Sequence, residues 1–134
     1  MMPPWSTVED ERWTGQRASV AALFERPAHA GQLDGAALVG RAIDDELRVV
    51  DLALWLDRTS RVTRARWKAT TCVGLIACAE RACQLLEAGC PPAAIDGARL
   101  IREVTGLHPA HHRRATLVVQ ALQRALESQP NKEQ

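Results

Sequence analysis

The stretch Val62-Thr63-Arg64-Ala65-Arg66-Trp67-Lys68-Ala69-Thr70-Thr71-Cys72-Val73-Gly74-Leu75-Ile76, running on to Cys90, carries the most regular apolar spacing in the chain. Val62, Ala65, Ala69, Cys72, Ile76, Ala79, Cys83, Leu86 and Cys90 follow one another at alternating steps of three and four. That is the spacing of a heptad seam, and it predicts one long helix whose small seam residues admit a close neighbour. Gly89 followed by Pro91-Pro92 stops the helix.

Upstream, Val39, Ile43, Leu47, Val50 and Leu54 recur at steps of four, four, three and four. They predict a second helix over Asp34 to Asp57, with Asp44, Asp45 and Glu46 on its solvated face. Ser6 and Glu9 form a capping-box pattern ahead of a first helix from Thr7 to Glu25, and residues 26–32 read as a loop. Downstream, a short helix is expected over Ala93 to Val104. Thr105-Gly106 breaks it, and Pro109 opens a last helix that ends near Ser128. The expected fold is all-α: a compact antiparallel helical bundle of three long helices plus a shorter C-terminal pair resembling a helix-turn-helix. Residues 1–128 are expected to form a single helical domain, and residues 129–134 a frayed polar tail.

Composition supports helix. Of 134 residues, 22 are Ala and none is Tyr. Ala is the strongest helix former, whereas aromatic residues favour strands. Arg outnumbers Lys 15 to 2, a bias typical of GC-rich bacterial genomes before it says anything of nucleic acid. No run of 18 apolar residues offers a membrane span, and the acidic N-terminus has no signal-peptide pattern. A cytoplasmic location is expected. Net charge is +1, but it is divided: residues 1–57 carry −5 and residues 58–134 carry +6. Bulk charge therefore selects no partner, while the C-terminal half suits an anionic one.

Cys72, Cys78, Cys83 and Cys90 contain no Cys-x-x-Cys pair and read as small buried side chains in a reduced compartment. His108, His111 and His112 lie beside Arg113 and Arg114, where cations are disfavoured and anions favoured. Neither a metal nor a cofactor is expected. Gly-rich phosphate loops, nucleophile elbows and Asp-rich metal motifs are missing from the sequence, so catalytic residues are assigned to none.

The candidate binding residues are basic. Arg58, Arg61, Arg64, Arg66 and Lys68 fall within eleven residues with no acid among them. On a helical wheel Arg61, Arg64 and Lys68 share one flank, and Arg113 and Arg114 form a second patch. The structural alternative is that this run pairs with Asp51 or Asp57.

Three short resemblances touch the C-terminal half. Leu100 to Leu107, with Arg113 and Arg114 beyond, resembles the Thr-Gly-Leu turn of bacterial helix-turn-helix DNA readers. Arg102 and His112, however, stand where that motif takes a small and an aliphatic residue. Ile101 to Leu107 is similar to a helix and turn in the C-terminal domain of the bacterial ribosomal stalk protein. Arg102 and His108, five residues between them, are similar to the Arg-x(4–6)-His signature of HEPN RNases, which implies an all-α RNA-cleaving dimer. Each covers under a fifth of the chain, and none defines a family. The sequence thus points to a non-enzymatic accessory or regulatory protein that binds DNA, RNA or an acidic partner through its basic half. The alternatives are a self-associating interaction module and a HEPN-like RNase.

Overall fold

The computed structural model describes residues 17–128. After a two-residue strand β1 (Ala18–Ser19) and a short helix α1 (Val20–Glu25) come three strands, β2 (Leu38–Ile43), β3 (Val49–Leu56) and β4 (Val62–Ala69). Helices α2 (Val73–Glu87) and α3 (Gly97–Glu103), strand β5 (Val104–Thr105) and helix α4 (His112–Glu127) complete the chain. The fold is α+β, which overturns the expected all-α bundle. The Asp34–Asp57 segment is no helix, and the first four seam residues, Val62 to Cys72, precede α2. The Ser6 capping box, most of the expected first helix and the polar tail lie outside the described residues.

β2, β3 and β4 form an antiparallel meander in that order, with Gly40 opposite Leu52 and Leu52 opposite Trp67. Its two turns are built alike. Asp44 accepts hydrogen bonds from the Glu46 and Arg48 backbone N–H groups, and Asp57 accepts from those of Thr59 and Arg61. The fourth residue of each turn, Leu47 (φ 64°) or Ser60 (φ 66°), is left-handed. Such Asx-type bonding explains why Asp stands at both positions, and it corrects the reading of Asp44 as one point on a solvated helix face. Leu47 is 77% exposed, so it packs on little while holding a conformation unfavourable to L residues. Leu47→Gly should therefore raise stability by about 0.5–1 kcal/mol, read as a higher denaturation midpoint; a fall would show that Leu47 packs more than its exposure implies.

Leu38, Gly40 and Ala42 of β2, Val50, Leu52 and Leu54 of β3, and Ala65 and Trp67 of β4 face one side and are buried. α2 lies over β4, and α4 lies over β2 and β3. Because α2 is wedged between the sheet and the other helices, it is buried almost all round, including Cys78 and Cys83. At Gly40 the approach is so close that a Cβ would fall 2.1 Å from the Ala121 carbonyl oxygen and 2.2 Å from the Ala125 nitrogen.

The free edge of β4 is closed by a strap. Trp67 N–H donates to the His29 carbonyl, and Gly31 N–H donates to the Trp67 carbonyl. Glu80, fully buried on α2, holds the strap in place. It accepts from His29 N–H (2.9 Å), from His29 Nδ1 (2.7 Å) and from Trp67 Nε1 (3.0 Å). Glu87 takes the neighbouring Ala65 N–H (2.8 Å) and the other ring nitrogen of His29 (2.9 Å). An unpaired strand edge is thereby removed.

The connection within the C-terminal pair departs from the tight turn of a helix-turn-helix. β5, Gly106 (φ 87°) and a 3-10 turn separate α3 from α4. Leu117, Val118, Ala121, Leu122 and Ala125 are spent on packing, while Arg113, Thr116, Gln120, Gln123 and Arg124 stay exposed. The HEPN resemblance falls with the all-α fold it implies.

Candidate functional site

Among the described residues no helix packs on the side of the meander away from α2 and α4, although Ala53 near its centre is buried. Strand alternation sends Val39, Arg41 and Ile43 of β2, Asp51 and Trp55 of β3, and Arg64, Arg66 and Lys68 of β4 to that side. Val39 and Ile43 are 44% and 49% exposed. The basic run is therefore a line rather than a helix flank. Its three cations stand two residues apart, at a spacing of ~7 Å along the strand. Arg58 and Arg61, exposed in the β3–β4 turn, extend the line at one end.

Each cation has a definite environment. The Arg64 guanidinium lies 4.8 Å from the centre of the Trp55 ring, a stacked cation–π pair. Arg66 Nη1 pairs with Glu87 at 2.7 Å. Arg41 forks onto Asp51 with bonds of 2.7 and 3.0 Å, which raises the Arg41 pKa through the hydrogen bond and the charge of Asp51. Asp51 is thus taken by Arg41 and makes no ion pair with the opposing Lys68. Asp57, similarly, is occupied by its own turn. The Thr59 hydroxyl and backbone bonds from Arg61 and Thr59 outweigh its slight burial and lower its pKa. The alternative in which the run exists to pair with Asp51 or Asp57 is not what the chain builds. Lys68, Arg58 and Arg61 make no ion pair among the described residues.

Glu87 anchors the rim of this face. Burial pushes its carboxyl up, but the Ala65 N–H, His29 and Arg66 together outweigh that and hold it below the usual carboxylate range. A carboxylate depressed in the folded state stabilises above its unfolded pKa, and that contribution disappears as pH falls through the folded value. The urea midpoint should hold steady down to about pH 5 and then fall, and Glu87→Gln should flatten part of that fall. An identical acid limb in the variant would remove Glu87 from the explanation.

The second expected patch is split. Arg113 is exposed on the first turn of α4, whereas Arg114 is 7% exposed and donates from Nε to Cys72 Sγ at 3.4 Å. Arg114 belongs with Cys72, Arg48 and Asp44 at the other turn of the meander, not with the β4 line. His108 accepts from the Ala110 N–H and its ring lies 6.1 Å from that of His111. Among the described residues no three His, Cys, Asp or Glu side chains are grouped to hold a metal ion. No described helix is long and apolar enough to cross a membrane.

This architecture, two helices on one face of a three-stranded meander, has a counterpart among solved structures. A crystal structure at 2.3 Å, described as that of a hypothetical protein, matches with a TM-score of 0.62 at 19% identity, over 81% of this chain and 93% of the other. That likeness establishes a shared fold and nothing of function. No protein-family model matches the chain, and no curated protein matches it.

Proposed function

We propose that the protein is a non-enzymatic binding module whose outer sheet face takes a single-stranded nucleic acid. The observation that carries the reading is the line Arg58, Arg61, Arg64, Arg66, Lys68, laid along one strand and its turn beside the Trp55 ring. Single strands are held by grooves that combine cations along the backbone with aromatic faces on which bases stack. A flat sheet face suits an extended strand better than a duplex groove, which a helix or a two-stranded ribbon would have to enter. Arg113 is a further phosphate contact only for a ligand long enough to leave the sheet, and Arg114 is not part of this surface.

The test is a titration of a labelled single-stranded oligonucleotide across salt. Binding should weaken linearly on a log–log scale, and Arg64→Ala or Lys68→Ala should each reduce the slope by ~0.7. Arg102→Ala, which removes an exposed cation of α3 outside this face, should leave the slope unaltered. An absence of binding at low salt by the folded protein rejects the reading.

Val39 and Ile43 on the same face favour a second reading, self-association of two sheets face to face. Sedimentation would show a dimer abolished by Ile43→Asp, with oligonucleotide binding absent.

A further inference from the structure

Away from the outer sheet face, the turn between β4 and α2 assembles a nucleophile. Cys72 is the N-cap of α2, a helix of 15 residues with no acid in its first turn. Its sulfur therefore stands at the positive end of the helix dipole and feels the Leu75 N–H, although it makes no capping hydrogen bond of ordinary length. Of the four cysteines it alone is partly exposed; Cys78, Cys83 and Cys90 are buried.

The second observation concerns Arg114. This guanidinium is more than nine-tenths buried, and its hydrogen bond is to a thiol rather than to a carboxylate. Its two terminal amino groups bond to no described residue, and they are not sealed from water. No described carboxylate lies within ion-pair distance of Arg114, and Asp44 acts on it only from farther off, so a negative charge in direct contact with the guanidinium, as the Cys72 sulfur would carry as a thiolate, is favoured. Arg48 adds a second guanidinium near the sulfur, itself paired with Glu46 and Asp44. His111 lies against Gly74 in the first turn of α2, so close that a Cβ on Gly74 would meet its Cβ and Nδ1 at 2.9 Å.

We propose that Cys72, with Arg114 as its positioning residue, is a reactive thiolate that reduces hydroperoxides and so makes this protein peroxide-responsive. The thiolate attacks the terminal oxygen of the hydroperoxide. A sulfur–oxygen bond forms and the oxygen–oxygen bond breaks, the sulfur supplying the electron pair. The terminal oxygen keeps its own proton and becomes the hydroxyl of a sulfenic acid. The departing oxygen leaves as an anion, is met by the free amino groups of Arg114, and takes a proton from water. Sulfur loses two electrons and the peroxide gains them. No second cysteine is exposed to trap the sulfenic acid, so the oxidised state persists until an external thiol removes it.

The electrostatics agree. Burial raises the Cys72 pKa, but the Leu75 N–H, Arg114 and Arg48 outweigh it and hold the thiol below its ordinary value. The groups facing it are Arg114, Arg48 with its partner Asp44, His111 beside Gly74, and Cys78, which burial pushes to about 12 and which stays a thiol.

Hydrogen peroxide is added to the full chain at neutral pH, with dimedone to trap sulfenic acid and peptide mass spectrometry to locate it. One adduct is expected, on Cys72, forming on the order of tenfold faster than on a cysteine reference peptide. Cys72→Ser should give none. In Arg114→Gln the rate should drop toward that of the peptide, and the ultraviolet absorbance of the thiolate should emerge at higher pH. Labelling of Cys72 no faster than the peptide overturns the proposal, as does a folded Arg114→Gln protein with an unchanged rate and pH profile. If that variant does not fold, the thiolate absorbance of wild type minus Cys72→Ser decides. Titration below the ordinary thiol range supports the proposal, and titration within or above it overturns it.

Discussion

Gly40→Ala should destabilise the protein by about 3 kcal/mol or more, enough to leave a marginally stable domain partly unfolded. The added methyl meets main chain on α4, the Ala121 carbonyl oxygen and the Ala125 nitrogen, at 2.1 and 2.2 Å. A side chain could swing aside; a helix backbone can yield only by lifting off the sheet. Lifting α4 would expose Leu117, Val118 and Leu122, which it buries. Gly97→Ala is the matched control, because its nearest neighbour is the Thr116 hydroxyl at an ordinary 3.5 Å. Chemical denaturation should show a large drop in midpoint for the first and a shift within about 1 kcal/mol for the second. Equal effects would mean that α4 does not lie on β2 as described.

Glu80→Ala should cost about 3–5 kcal/mol. The carboxylate is fully buried and takes three donors from two distant segments, the strap and β4. Removing it leaves the indole N–H of Trp67 and the backbone and ring N–H of His29 without an acceptor, and buried donors without acceptors are costly. Glu80→Gln keeps one acceptor oxygen and should lose distinctly less. The damage should also be local. Hydrogen exchange should speed up first at Trp67 and Gly31, whose bonds close the β4 edge. A Glu80→Ala protein of wild-type stability would show that the strap is held by something else.

The helical half of the fold was legible because its punctuation is ordinary. Gly89 (φ 103°) and the two prolines end α2, Gly106 marks the break before α4, and Pro109 opens the turn leading into it. The sheet was not legible, for three physical reasons. First, β2 and β3 carry apolar residues on both faces, Val39 and Ile43 outside and Val50 and Leu54 inside, and together these mimic helical steps. Secondly, the inward residues of β4 include Ala65 and Ala69, strong helix formers where a strand would usually show β-branched ones. Thirdly, the left-handed turn positions hold Leu47 and Ser60 rather than Gly or Asn, so neither hairpin announces itself.

The same error reshaped the site. A helical period grouped Arg61, Arg64 and Lys68 and set Arg66 aside, whereas a strand period aligns Arg64, Arg66 and Lys68 and puts Arg61 in the turn. The composition of the basic run was readable, and its geometry was not. Trp55 beside Arg64, and Arg114 against Cys72 across 42 positions, are tertiary contacts that no local period encodes.

The most direct test of the outer sheet face is the backbone amide spectrum of the labelled protein during addition of a single-stranded oligonucleotide at low salt. Shifts should concentrate at Arg64, Arg66, Lys68 and the Asp57–Arg61 turn, together with the Trp55 indole, and should be reversed by added salt. The amides of α2 and α4, on the far side of the sheet, should stay still. Shifts confined to the α4 N-terminus around Arg113, or no shifts at all in the folded protein, would contradict the assignment of this face as the binding surface.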